Sequence, residues 1–356
     1  MNRRGETGAA PGSKDATGFA RRANARGVEI PLQQKEMNSM DRRMMMAGGA
    51  ALLAQAAQAQ VPAQAPAGVN TSQAAGTAPA LPYKAHSIAT PDGVTVRAYE
   101  YGNPAGPAIL FIHGYMQAGL SWDKQVQDPA MLRDFRMVTY DLRGHGMSDK
   151  PVGDQFYKPG KAWGDEVNAL IRGIGLERPV LVGWSYGGRL LGDYLIEHGH
   201  ANIAGLNYVG AVSSGADPTR FGTGGRHTSP TAAGSEDPAT AIRGTIAFLR
   251  ACFERQPSAE EFEAILAFNM MVPRHARLAM QGRPANFDTQ LRALNIPVLV
   301  THGAKDQLID VSMARFTAGI VPGARLSVYD NIGHSTFWED APRFNRELAE
   351  LRRAAR

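Results

Sequence analysis

Ser185 stands between two glycines in the stretch VLVGWSYGG, residues 180–188, directly after a short apolar run. A serine hydroxyl is a weak nucleophile, so its chemistry needs a base to take its proton and an acid to orient that base. Both residue types follow downstream. Asp306 comes after the apolar stretch 296–301, in the loop HGAKDQLI, and His334 comes after 325–329, in DNIGHSTFWE. In such a set His334 removes the serine proton during attack and returns it to the leaving group, while Asp306 holds the useful imidazole tautomer. Asp310 lies in the same loop and is a second candidate for the acid. The nine histidines show no HExxH or Cys/His spacing, so neither a metal site nor a cofactor is expected.

These residues demand particular elements to position them. G-x-S-x-G, here Gly183 to Gly187, turns a strand sharply into a helix and holds the serine in a strained conformation at the tip. Flanking glycines remove the Cβ atoms that would collide across so tight a turn. Residues 179–182 read as a buried strand, and 189–198, with Leu190, Leu191, Tyr194 and Leu195 at helical spacing, read as the helix. The strand candidates are 84–88, 94–101, 108–112, 137–140, 180–182, 203–209, 297–301 and 325–329. Helical stretches separate most of the later ones, which predicts a mainly parallel, doubly wound sheet with its loops gathered at the strand C-termini. No internal repeat is visible.

The order Ser185, Asp306, His334, each beyond its own strand, resembles the α/β-hydrolase fold, in its serine esterase or non-heme chloroperoxidase-like branch. The match runs from about Tyr83 to the C-terminus. It implies an α/β architecture with a mostly parallel eight-stranded sheet flanked by helices and a small helical cap. The strand 108–112 ends in His113-Gly114-Tyr115, similar to the turn that supplies one oxyanion donor in that family. By this resemblance the donors are the backbone N–H groups of Tyr115 and Tyr186, with their rings lining the pocket. The family also places its acid where Asp306 stands in the HGAKD turn. DLRGHGMSDKP, after 136–140, is similar to a loop that frames the site without doing chemistry, and His113 and His145 read as structural. Trp122 and Trp184 are candidate substrate-binding aromatics, with simple packing as the competing reading.

Between residues 213 and 294 the strand–helix alternation breaks. This insertion opens with a glycine-rich loop through Gly234 and then reads helical over 237–252, 259–271 and 273–281, as a cap over the site. It carries Phe248, Leu249, Phe253, Phe262, Ile265, Leu266, Phe268, Met270 and Met271, more than one narrow stripe requires. Some should pack against the main domain and some should form an apolar acyl or alcohol pocket. Cys252, the single cysteine, excludes an internal disulfide and falls in an apolar helical stretch.

The N-terminal part reads as targeting sequence. Arg42 and Arg43 precede an alanine-rich run and an Ala57-Gln58-Ala59 cleavage site, so residues 40–59 resemble a twin-arginine export signal. Asp41 departs from that pattern, which leaves a general secretory route or a retained anchor open. Residues 1–39 precede the signal awkwardly, and a start at Met40 or a disordered extension would account for them. Lys35-Glu36-Met37 can be encoded by a ribosome-binding sequence shortly before Met40. Residues 60–82 form an Ala/Pro-rich linker, and 83–356 the hydrolase domain. The formal charge is +5, but residues 1–43 hold nine Lys or Arg against five Asp or Glu, which leaves the chain from Gln60 near +1. That balance gives no reason to expect nucleic acid as a partner, and the run after Arg43 is too short and polar to span a bilayer.

The expected protein is thus a periplasmic or secreted serine hydrolase cleaving small carboxylic esters through an acyl-enzyme. Dehalogenases and epoxide hydrolases of this fold need an aspartate at the Ser185 position and are disfavoured. A cofactor-free perhydrolase, a carbon–carbon bond hydrolase and a non-catalytic binding protein on the same fold remain as alternatives.

Overall fold

The computed structural model describes residues 82–214 and 230–355. The expected extension, export signal and all but the last residue of the linker lie outside the described residues, as does the glycine-rich loop up to residue 229. Among the described residues there are eight strands: β1 (Lys84–Ala89), β2 (Thr95–Gly102), β3 (Ala108–Ile112), β4 (Arg136–Asp141), β5 (Val180–Trp184), β6 (Gly205–Val209), β7 (Val298–Gly303) and β8 (Arg325–Tyr329). They form one sheet in the order β1-β2-β4-β3-β5-β6-β7-β8. From β4 onward every neighbouring pair is parallel, while β1–β2 and β2–β4 are antiparallel. The sheet is therefore mixed, with a meander at one edge of an otherwise parallel array.

The apolar runs AILFI and VLVGW lie in the middle of this array, and each residue of β3 and β5 is buried. That is the pattern of strands covered on both faces. Alternation still sorts the side chains. Leu110 and Ile112 join one core cluster, with Trp163, Leu170, Leu190 and Tyr194 of the helices α1 (Gly160–Ile174) and α2 (Gly187–His198). Ile109 and Phe111 join the other, beneath Phe344 and Leu348.

The loop after β4 is fastened by a buried charge network. Arg143, fully buried, places Nε 2.7 Å from Glu166 Oε2 in α1 and Nη1 2.6 Å from Asp92 Oδ2. Burial raises the Glu166 carboxyl above its ordinary value, against the pull of the Arg143 charge. Removing one partner of a buried pair costs about 3–5 kcal/mol. Glu166→Ala is expected to lose that much in urea unfolding, and a loss under about 1 kcal/mol, the worth of an exposed pair, would show that Asp92 alone satisfies the guanidinium.

Between β6 and β7 come α3 (Pro238–Ala251), α4 (Ala259–Met270), α5 (Arg274–Ala279) and the short α6 (Asp288–Arg292). Asp237 caps α3, and a Ser258–Glu261 capping box opens α4. Leu249, Phe253, Phe262, Ile265 and Phe268 form a separate cluster, which Ala118 and Leu308 join from two loops of the main domain and Trp338 from the short helix 336–339. The chain closes with α7 (Val311–Ile320), α8 (Thr336–Glu339) and α9 (Ala341–Ala354).

Candidate active site

Strand β5 ends at Trp184 and α2 begins at Gly187, so the chain reverses over two residues. Ser185 sits at φ +55°, in the left-handed region, at a cost of roughly 1–3 kcal/mol. A Cβ at Gly187 would lie 2.6 Å from Ile112 O. No residue but glycine fits there. Ser185 N–H donates to Val209 O at 2.9 Å, and Ser185 O accepts from the N–H groups of Gly188 and Val212. The elbow is thereby fixed to the end of β6.

The turn after β3 runs alongside. A Cβ at Gly114 would lie 3.1 Å from Ser185 Cβ, so the His113–Gly114 turn is in contact with the serine. The N–H groups of Tyr115 and Tyr186 have no acceptor among the turn hydrogen bonds of these two loops. Their phenols bind the cap instead of lining an open pocket. Tyr115 donates to Arg277 O at 2.9 Å and accepts from Gln281 Nε2 at 3.0 Å; Tyr186 donates to Met280 O at 3.2 Å and accepts from Arg283 Nη1 at 3.1 Å. Arg283 also reaches Asp193 Oδ2 of α2 at 2.6 Å. Burial pushes Asp193 up to about 6 despite that partner.

His334 and Asp306 meet across two loops. His334 Nδ1 lies 2.7 Å from Asp306 Oδ2, and since a carboxylate only accepts, Nδ1 carries the hydrogen. His334 Nε2 is buried and has no hydrogen-bond partner. With the hydrogen on Nδ1, Nε2 keeps its lone pair, as a general base requires. Trp184 Nε1–H donates to His334 O at 3.1 Å, and Glu339 Oε1 accepts from Gly333 N at 3.0 Å, which holds the loop from both sides.

Asp306 Oδ1 accepts from Leu308 N–H and Ile309 N–H at 2.8 and 3.0 Å. Oδ2 accepts from His334 and also lies 3.2 Å from His302 Nε2. Burial alone would raise this carboxyl, but the charges and hydrogen bonds of His334 and His302 outweigh it and hold Asp306 well below the usual carboxylate range. Asp310 does different work: its side chain accepts from Ser312 N–H and caps α7.

Two sequence expectations change here. Trp122 is fully buried, with its ring 4.3 Å from Phe337 and 5.0 Å from Phe111 between centroids. It has no face left for a substrate and is a packing residue. Trp184, also buried, packs its ring on Phe337 and His334 and spends its N–H on the His334 carbonyl. It supports the histidine, although its edge also borders a small, largely aromatic cavity beneath the cap. His113 and His145 lie fully buried with their rings 5.0 Å apart, and burial pushes each down to about 3, so both stay neutral. His302 was not anticipated; its only sequence signal is its place at the head of the HGAKD turn.

An elbow serine, an imidazole on a buried carboxylate and a helical insertion over the C-terminal edge of a mainly parallel sheet define an α/β hydrolase. The model of the alpha/beta hydrolase family matches residues 109–347, and the chain belongs to that family. Among solved structures it is similar to a putative aryl esterase from Burkholderia cenocepacia: 34% identity, TM-score 0.72, covering 76% of this chain and 99% of the other. It is also similar to the esterase RhEst1 from Rhodococcus sp. ECU1013: 32% identity, TM-score 0.70, with the same coverage of 76% and 99%. The bifunctional esterase/perhydrolase DCH of Acinetobacter calcoaceticus is 25% identical over 279 residues, which span 73% of this chain and 97% of that protein. The protein is a hydrolase of this fold.

Proposed function

We propose that the protein hydrolyses small carboxylic esters through an acyl-enzyme on Ser185. The observation that carries this reading is the buried, unpartnered Nε2 of His334, whose Nδ1–H is committed to Asp306. As Ser185 Oγ attacks the ester carbonyl, Nε2 takes its proton and then delivers it to the departing alcohol. Water next attacks the acyl-enzyme, giving a proton to Nε2, which returns it to Ser185 as the acid leaves. The N–H groups of Tyr115 and Tyr186 serve the oxyanion. Hydrolysis of p-nitrophenyl esters of rising acyl length by the full chain tests the proposal. Activity on short acyl groups supports it, and inactivity on every ester overturns it.

A second reading, peracid formation from a carboxylic acid and hydrogen peroxide, is favoured by the likeness to an esterase/perhydrolase. It uses the same acyl-enzyme with peroxide in place of water. Peracid formation from acetate and peroxide, faster than ester hydrolysis, would select it.

The reading also includes export of the chain through residues 40–59, on the strength of Arg42-Arg43 and the Ala57-Gln58-Ala59 site. Among the described residues no helix is long and apolar enough to cross a membrane. N-terminal sequencing of the protein from fractionated cells should begin at Gln60 in the exported fraction; an unprocessed chain confined to the cytoplasm would refute export.

A further inference from the structure

We propose that His302 is a positioning residue for the acyl-transfer reaction, fixing the Asp306 carboxylate in the orientation that serves His334. The inference rests on the triad reading above. His302 lies one residue before the end of β7 and is buried. Its Nε2 is 2.9 Å from Ile309 O and 3.2 Å from Asp306 Oδ2. A carbonyl oxygen can only accept, so Nε2 carries a hydrogen; it bonds to the Ile309 carbonyl and lies beside the carboxylate. Two imidazoles thus face one oxygen of Asp306, His334 bonding to it at 2.7 Å and His302 Nε2 standing 3.2 Å away, while Leu308 N–H and Ile309 N–H occupy the other.

The count matters because an ionised carboxylate offers about four acceptor sites, and in a buried place each unfilled one is costly. Here three are filled by hydrogen bonds and the His302 N–H stands beside the fourth. Without His302 one site on Oδ2 faces no donor, and nothing holds the orientation of the carboxylate from that side. The crowding of this corner makes the arrangement specific to the pair of loops. A Cβ at Gly303, next to His302, would fall 1.9 Å from Gly333 O, so the chain leaving β7 touches the chain that carries His334.

The second donor also tempers the reaction electrostatically. Each hydrogen bond to Oδ2 takes up part of its charge, so His302 reduces the share that Asp306 directs at the His334 ring. Asp310 also acts on His302, and burial, with Asp306 and Glu339 adding, holds the Cys252 thiol nearby well above its ordinary value and uncharged. Asp310, acting on His302, and His334, acting on Asp306, are therefore the groups whose charges reach this pair. Burial would lower the His302 imidazole, but the Asp306 carboxylate, the Ile309 carbonyl and the Asp310 charge together outweigh that and raise it above the ordinary histidine value.

The test compares His302→Gln, His302→Asn and His302→Leu in the full chain. The glutamine amide reaches the place of Nε2 and keeps the donor; the asparagine amide is too short to reach it, and leucine has none. The readouts are the pH dependence of p-nitrophenyl acetate hydrolysis and, independently of substrate choice, the pH dependence of inactivation by a fluorophosphonate, each beside the melting temperature. Leucine and asparagine should lower kcat about tenfold, the worth of one hydrogen bond to a charged group, with KM within about twofold. Their acid limb should move up by roughly half a pH unit, because the full Asp306 charge then falls on His334. Glutamine should stay within about threefold of the parent with its acid limb in place, since it restores that bond. If leucine does not fold, the split between glutamine and asparagine still decides. Equal rates and limbs in all variants, or equal losses in glutamine and asparagine, would overturn the role of His302. Ser185→Ala keeps this outcome separate: full activity in that variant overturns the triad itself.

Discussion

Ser185→Ala is expected to lower kcat for ester hydrolysis by on the order of a million-fold, to the residual rate that oxyanion donors and binding alone sustain. KM should change by less than about threefold, because the hydroxyl makes its bond with the substrate only as the reaction proceeds. The variant should fold. Ser185 is half-buried, its backbone bonds to Val209, Gly188 and Val212 do not involve the side chain, and alanine is no more strained at φ +55° than serine. The same variant should fail to gain the mass of a fluorophosphonate adduct that the parent gains. Ester hydrolysis persisting within tenfold of the parent would mean that the hydroxyl is not the nucleophile. The elbow would then be a structural relic, and a group other than Ser185 would carry the reaction.

What made this site legible in the sequence was chain-local. Gly183, Ser185 and Gly187 form a turn whose steric demand is written in five consecutive residues. His334 and Asp306 each follow an apolar run at the distance a loop needs. The choice between Asp306 and Asp310 was harder, because both carboxylates lie in one loop. In the structure Asp306 meets His334, whereas Asp310 precedes α7 and accepts from Ser312 N–H, a local signature that spacing could have suggested.

The parts that were not legible are those in which two distant segments meet. His302 belongs to the site only because β7 and the loop after β8 bring its Nε2 to the oxygen that His334 uses. The phenols of Tyr115 and Tyr186 looked like pocket walls, yet each is hydrogen-bonded to a backbone carbonyl of the cap, 162 and 94 residues along the chain. Trp122 illustrates the reverse error. An aromatic residue near an active-site turn can serve substrate or core equally well by type, and only its enclosure by Phe111, Phe337 and Phe344 decides for the core. The antiparallel edge of the sheet was hidden in the same way, since strand composition does not state direction.

Asp306→Asn supplies the second large effect, a fall in kcat of about ten-thousandfold with little change in KM. An amide has one oxygen and one NH2 group where the carboxylate has two acceptors. With its oxygen on Leu308 N–H and Ile309 N–H, the NH2 group would face the N–H groups of both His334 and His302. His334 escapes that clash by moving its hydrogen to Nε2, and the lone pair needed by Ser185 is lost. Asp310→Asn, which keeps a capping oxygen for α7, should retain activity within about twofold. Equal losses in the two variants would remove Asp306 from the role of acid. The variant also predicts a pH effect on stability. The Asp306 carboxyl is held below its ordinary value of 3.8, so its contribution is complete above that pH and is lost as pH falls toward the lower, folded-state value. Melting temperatures taken from pH 6 down to pH 3 should therefore fall more steeply in the parent than in Asp306→Asn, which has no such charge to lose. Parallel curves would show that this carboxylate is not held ionised by its two histidines.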